Sequence, residues 1–166
     1  MSANAILAPF LPGRHDHGDC VGAAMGAAEE ICRARGLRLT ARRRRVLELI
    51  WQQHRPVGAY DLLERLRRER GRAAPPTVYR ALDFLRENGF VHRIESLNAY
   101  VGCGAPGARH SGQFLICRRC RAVAELDDTG IAEMIDARAR AAGFEATGQT
   151  IEVSGLCPQC SAAPPR

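Results

Sequence analysis

Two Cys-x-x-Cys pairs constrain this chain more than any other feature: Cys117 and Cys120 in "FLICRRCRAV", and Cys157 and Cys160 in "GLCPQC". Two thiols three residues apart at a strand end present sulfur toward one point. A second pair completes four ligands at about 2.3 Å from a tetrahedral metal such as zinc. The stretch between the pairs is longer than in compact zinc ribbons, and a helix and a strand lying between them account for it. A disulfide framework fits poorly, because seven cysteines is an odd number. The first twenty residues, "MSANAILAPFLPGRHDHGDC", lack the basic start and small-residue cleavage site of a signal peptide. The expected compartment is therefore a reducing cytoplasm, where structural disulfides are rare. A redox pair needs a low-pKa thiol at a helix N-terminus in a thioredoxin-like setting, whereas both pairs read as strand ends. The remaining reading is a closed tetrathiolate site with no open position for a substrate, structural and not catalytic.

The order of the elements is legible from periodicity and caps. Residues 1–20 read as a loose, flexible tail. A helix is expected over 21–35, closed by Gly36, with Cys32 as a small buried residue. Thr40 is a natural N-cap for "ARRRRVLELIWQQ", whose apolar side carries Val46, Leu47, Ile50 and Trp51. "AYDLLERLRRER" gives a third helix, and Pro76 suits the first turn of a fourth, "PTVYRALDFLREN", ended by Gly89. Then "FVHRIESLNAYVGC" turns to short β-rich runs split by Ser96, Leu97 and Asn98, a hairpin signature. Closely spaced helices followed by a hairpin are the order of a winged helix-turn-helix. Beyond residue 112, "QFLIC" and "RAVAEL" read as strands, "GIAEMIDARARAA" as an amphipathic helix, and "FEATGQTIEVSGLC" as a long strand. A module of about 60 residues seldom holds itself with a core alone, so a metal or a partner subunit is expected. No apolar run is long enough to span a membrane. The fold class is therefore α+β.

Charge separates the same two halves. Residues 1–97 carry 17 Arg against 11 acidic residues, while residues 98–166 carry 7 of each. A basic half beside a neutral half points to a nucleic-acid-binding module joined to something else, and the winged-helix order makes double-stranded DNA the expected partner. In a winged helix the fourth helix would enter the major groove, placing Thr77, Tyr79 and Arg80 near base edges. Four successive arginines at 42–45 wrap more than one helical turn, so at most two can face phosphate; Arg43 is taken as one of them. His15, Asp16, His17 and Cys20 in "HDHGDC" could make an accessory metal site, although a disordered tail is the preferred reading. His54 reads as a surface residue.

The stretches "LRLTARRRRVLELI", "AYDLLERLR", "PPTVYRALDFLRENGFVHRIES" and "NAYVGC", with the paired Cys-x-x-Cys motifs, closely resemble the ferric uptake regulator family, and within it the zinc uptake regulator branch. The likeness runs from about Glu29 to Cys160. It implies a homodimeric repressor with a winged-helix domain (21–98), a hinge (99–107) and a C-terminal dimerisation domain (108–166). It also implies two Zn2+ per protomer. One is structural and held by Cys117, Cys120, Cys157 and Cys160. The other is regulatory and held by His92, Cys103, His110 and Glu125, four residues that sequence alone would not join. Two imidazoles, a thiolate and a carboxylate suit tetrahedral zinc better than iron or manganese. The family likeness further points to Tyr60 as a base contact, to an AT-rich palindromic operator, and to zinc as the corepressor of zinc-uptake genes.

Competing readings remain. An iron- or peroxide-responsive regulator of the same fold would carry a His-rich run before the first Cys pair, whereas "ARHSGQFLIC" has only His110. A thiol oxidoreductase using Cys117 and Cys120 would show a reactive thiol and no tightly held metal. A metal buffer or zinc enzyme without a DNA role leaves the basic first half unexplained.

Overall fold

The protein is described from a computed structural model, which describes residues 5–10, 17–53, 55–70, 74–108 and 110–163. The chain divides into two compact units, one formed by Leu11–Ala108 and the other by Met1–Phe10 together with Arg109–Arg166.

The first unit is built from α1 (His17–Ala34), α2 (Ala41–Trp51), β2 (Val57–Gly58), α3 (Ala59–Arg70), α4 (Pro75–Glu87), β3 (Val91–Ile94) and β4 (Ala99–Gly102). Its local signals act as written in the sequence. Thr40 caps α2 by accepting from the Arg43 backbone N–H at 3.4 Å. α1 ends where Gly36 turns left-handed at φ 65°, letting Leu37 N–H donate to the Cys32 carbonyl at 2.8 Å. Gly89, at φ 72°, does the same for α4, and Phe90 N–H reaches the Leu85 carbonyl at 2.8 Å. Both Pro75 and Pro76 sit in the first turn of α4, where a missing N–H costs nothing. Between β3 and β4 a single 3-10 turn (Glu95–Leu97) closes the hairpin, with Asn98 in the left-handed region at φ 46°. Arg93 Nη2 donates to the Asn98 side-chain oxygen at 3.0 Å.

The helices enclose one core of Val46, Leu47, Ile50, Leu62, Val78, Leu82, Leu85 and Phe90, each at most 2% exposed. β3 and β4 pair antiparallel from Val91↔Gly102 to Ile94↔Ala99, and β2 adds to β4 through Val57↔Tyr100. Three helices, a short strand and a two-stranded wing make a winged helix-turn-helix, preceded by α1. Residues 99–102 form the second strand of the wing, as the hairpin signature expected, so the segment given as hinge begins inside the wing. The unit boundary falls later, after Ala108.

The second unit is a four-stranded sheet in the order β1-β6-β5-β7, formed by β1 (Ala5–Ala8), β5 (Gly112–Cys117), β6 (Val123–Asp127) and β7 (Thr150–Gly155). β5 and β7 run parallel, with α5 (Thr129–Ala141) in the connection between β6 and β7. The Asp128 side chain caps α5, accepting from Gly130 and Ile131 N–H at 2.9 and 3.2 Å. Buried Gln113 ties the entry to this helix back to β5, donating to the Asp128 carbonyl at 2.8 Å.

Two further expectations are corrected here. Part of the supposed tail is ordered, since Ala5–Ala8 pairs with β6 and α1 already begins at His17. The long last strand shortens to Thr150–Gly155, because Phe144 to Gln149 make no ladder. Beyond it lies a short helix, α6 (Pro158–Ala162). His15, Asp16, the His17 side chain and His54 lie outside the described residues. Among the described residues no helix is long and apolar enough to cross a membrane.

Candidate metal centres and nucleic-acid interface

The second unit gathers the four thiols. Cys117 ends β5, and the chain turns back so that Cys117 N–H bonds the Ala122 carbonyl and Arg121 N–H bonds the Cys117 carbonyl, each at 2.9 Å. This turn carries Arg121 at a left-handed φ of 59° and swings Cys120 inward. Arg118 N–H bonds the Gly155 carbonyl at 2.9 Å, pinning the turn to the end of β7. Arg119 donates through Nη1 to the Cys160 carbonyl at 2.5 Å. The four ligand sulfurs lie within 4.8 Å of one another. Cys120 and Cys157 Sγ are 3.7 Å apart, close to the edge of about 3.8 Å that a tetrahedron with 2.3 Å metal–sulfur bonds requires.

The second Cys pair does not sit at a plain strand end, as the sequence suggested. Cys157 occupies the N-cap of α6 and Cys160 lies inside it. Burial pushes the Cys117 thiol up, but backbone N–H groups of Cys120, Cys157 and Arg119 aimed at its sulfur prevail and hold it near 6. Desolvation and the neighbouring sulfurs push Cys160 up to about 12, and Cys120 is also raised. One thiolate is thus favoured while its neighbours resist a second negative charge. A divalent cation reverses that opposition, and the donor set suits a soft, tetrahedral ion.

The residues of the expected mixed site lie partly in each unit. In the second unit, His110 precedes β5 and its Nε2 meets Glu125 Oε1 on β6 at 2.9 Å, both side chains being almost fully buried. Glu125 stands opposite Phe114 on β5 and Ala8 on β1. A carboxylate in such a place is tolerated only with strong partners, a cation among them. In the first unit, His92 on β3 stands opposite Val101, while buried Cys103 donates its N–H to the Phe90 carbonyl at 3.0 Å. His92 and Cys103 are therefore diagonal neighbours on one face of the wing.

The expected DNA-facing residues also belong to the first unit. Tyr60, second in α3, is 74% exposed, and Tyr79 on α4 is 42% exposed, so neither is a core aromatic. Arg80 is exposed and Thr77 half-buried on the first turns of α4. The arginine run divides. Arg44 pairs with Glu29, and Arg45 donates to Glu48 and Glu69 at 2.8 Å. Arg43 is no free arm: its Nη1 donates to the Arg38 carbonyl at 2.6 Å and its guanidinium lies 3.6 Å over the Phe84 ring. Together with Thr40, Arg42, Thr77, Arg80 and Ala81 it lines a cleft of about 180 Å³. Sequence reading took Thr40 as a cap and Arg42 as one of a run, and did not bring them to one cleft with Thr77 and Arg80 or find the Phe84 platform. The sorting of the run was in principle visible, because Glu48 lies three and four residues beyond Arg45 and Arg44, at ion-pairing distance on a helix.

A winged helix-turn-helix joined to a sheet unit that gathers four thiols defines a metal-binding, DNA-binding regulator. Residues 34–154 match the ferric uptake regulator family, and the chain belongs to it. It is 44% identical over 137 residues to the zinc uptake regulation protein of Escherichia coli (strain K12), spanning 82% of this chain and 80% of that one. Among solved structures it resembles a zinc uptake regulator complexed with zinc and DNA, at 43% identity and a TM-score of 0.81, covering 85% of this chain and 95% of that one. It also resembles holo XcZur, at 52% identity and a TM-score of 0.79, covering 85% and 99%. Within the family its similarity thus falls with the zinc uptake regulators.

Proposed function

We propose that the chain is a zinc-responsive transcriptional repressor that binds an AT-rich palindromic operator as a homodimer in the cytoplasm, with zinc as corepressor for genes of zinc uptake. The likeness to a zinc- and DNA-bound regulator over most of the chain carries this reading. Cys117, Cys120, Cys157 and Cys160 would hold the structural zinc, and His92, Cys103, His110 and Glu125 the regulatory one. When bound, the structural ion supplies the cross-link that a small sheet unit lacks. His92 and Cys103 belong to one unit and His110 and Glu125 to the other, so an ion held by all four would tie the units together. In a dimer that restriction favours the spacing of two α4 helices that matches two half-sites. Zinc need not touch DNA to tighten binding, and linkage requires DNA to tighten zinc by the same factor. Arg80 would read a base edge bidentately, worth about 1–3 kcal/mol of discrimination, with Thr77, Tyr79 and Tyr60 beside it.

A thiol oxidoreductase is disfavoured by geometry. The thiol held near 6 is Cys117, which is fully buried, so a substrate disulfide has no access to it.

The test is fluorescence anisotropy of operator-like DNA across buffered free-zinc concentrations. Affinity should rise steeply at very low free zinc and stay flat with iron or manganese. Cys103→Ser should lose the zinc dependence while keeping the structural ion. Binding indifferent to zinc would leave the four-thiol site as structure only and refute the corepressor reading.

A further inference from the structure

Cys117 and Cys157 are fully buried, whereas Cys120 and Cys160 are half-buried, so the four-thiol site meets solvent at the last two. These two ligands are held very differently. Cys120 lies in a turn closed by main-chain bonds, Cys117 N–H to the Ala122 carbonyl and Arg121 N–H to the Cys117 carbonyl, and Arg118 N–H ties that turn to Gly155. Cys160 lies on α6, which is five residues long. A helix of that length does not hold itself in water. Cys157 starts its first turn, accepting through its carbonyl from Ser161 N–H at 2.8 Å. The last carbonyls of a helix have no partner within it.

Arg119 supplies that partner. Its side chain leaves the first Cys-x-x-Cys turn, and Nη1 donates to the carbonyls of Cys160 at 2.5 Å and Ala163 at 3.3 Å, the second being the C-cap of α6. Arginine is suited to satisfying the orphan carbonyls of a helix end. Among the described residues no carboxylate competes for this guanidinium. Four thiolates around a divalent ion also leave a net negative charge, which a guanidinium between two of the ligands in the chain helps to offset.

We propose that Arg119 is a positioning residue that keeps the four-thiol site closed: it ties the helix carrying Cys160 to the turn carrying Cys120, and breaking that tie, with Cys160 leaving first, limits loss of the metal ion. The inference rests on the structural-metal reading above and adds to it the route by which the ion escapes and the side chain that blocks it. A chain that answers scarce zinc needs its structural ion to stay in place while the regulatory one exchanges. A residue outside the ligand set that slows ligand release provides for that difference.

The experiment uses full-length protein after brief chelation that removes weakly held zinc, with the retained metal counted by elemental analysis. Transfer of that metal to an excess of the chromogenic chelator pyridylazoresorcinol is timed. Iodoacetamide alkylation during the transfer is mapped to each cysteine by mass spectrometry. Arg119→Ala should release its ion about tenfold faster than the native protein, within the range that groups orienting metal ligands command. Arg119→Lys, which still donates to the carbonyls, should recover most of the native rate. Arg118→Ala should release at the native rate, since Arg118 contributes its backbone N–H, which alanine keeps. In native protein and in Arg119→Ala alike, Cys160 should be alkylated before the other thiols of the site. Alkylation that begins at Cys120 overturns the proposal. So does release that tracks global unfolding in urea with the site's thiols reacting together, because Arg119 would then only support the sheet unit. If chelation leaves no ion at all, the structural-metal reading falls and this inference with it. An ion that is retained, but released equally fast by native protein and Arg119→Ala, overturns the inference alone.

Discussion

At the scale of single residues, the packing beside Cys103 is the tightest constraint on the wing. Gly102 precedes Cys103 and lies against Trp51 at the end of α2, and a Cβ added at Gly102 would overlap the indole ring. Here glycine is required by close approach, since its φ is not left-handed. Gly102→Ala should force either the indole or β4 aside, at about 1–3 kcal/mol for an overpacked site. Trp51 is the sole tryptophan, so its fluorescence in a urea titration reads the loss directly. If Cys103 holds zinc as proposed, the same variant should weaken that binding, because β4 sets where Cys103 stands. An unchanged midpoint would mean the ring moves away without cost and that wing and helix are less tightly interlocked than the spacing requires.

Among the described residues, α5 leaves its apolar face uncovered within one chain. Ile131, Met134 and Ile135 follow the i, i+3, i+4 spacing of a helix face and are 40%, 66% and 40% exposed. Phe144, Val153 and Leu156, on and around β7, are also exposed. Such a patch on a small sheet unit calls for a partner surface, and a second copy of the chain is the partner the family reading supplies. Met134→Glu should shift sedimentation from dimer toward monomer while leaving the four-thiol metal content intact; a variant that remains dimeric would place the interface elsewhere. The same elements show what a sequence carries. α2 and α4 were legible because Thr40 and Gly89 act on their immediate neighbours, and α5 because its apolar residues recur at helical spacing. The Cys pairs were legible because spacing alone states the donor set. β1 was not legible: "AILA" has no alternation, and its stability comes from hydrogen bonds to β6, over a hundred residues away. The stretch 144–149 failed for the opposite reason, since its apolar and β-branched residues look strand-like but find no partner. His92, Cys103, His110 and Glu125 stand on four different segments, so no local rule joins them, and only the family likeness did.

At the scale of the whole molecule, β1 changes how the two units are connected. The family match begins at residue 34, so β1 lies outside it. The chain starts in the second unit, pairing Ala5↔Asp127, Ile6↔Leu126 and Ala8↔Glu125 along β6, and then crosses to α1 in the first. It returns at residues 108–109, so the units share two covalent links in place of one. A second link adds its own closure restraint to the first, and so narrows the configurations open to the metal-free chain. Zinc held by residues of both units would impose the same restriction more strongly. The two devices therefore overlap, and deleting residues 2–10 should expose which one acts when. Without zinc, the truncated protein should bind operator several-fold more weakly than the full chain, because one tether is gone. With zinc saturating, the two should bind alike, since the ion then fixes the units. The ratio of affinities with and without zinc should rise accordingly, making the shorter protein the sharper switch. Anisotropy titrations of both proteins, at saturating zinc and after chelation that leaves the four-thiol ion in place, measure all four affinities. Equal weakening in both metal states would instead assign β1 to the integrity of the sheet that carries Glu125, and no change in either would show that the strand restrains nothing.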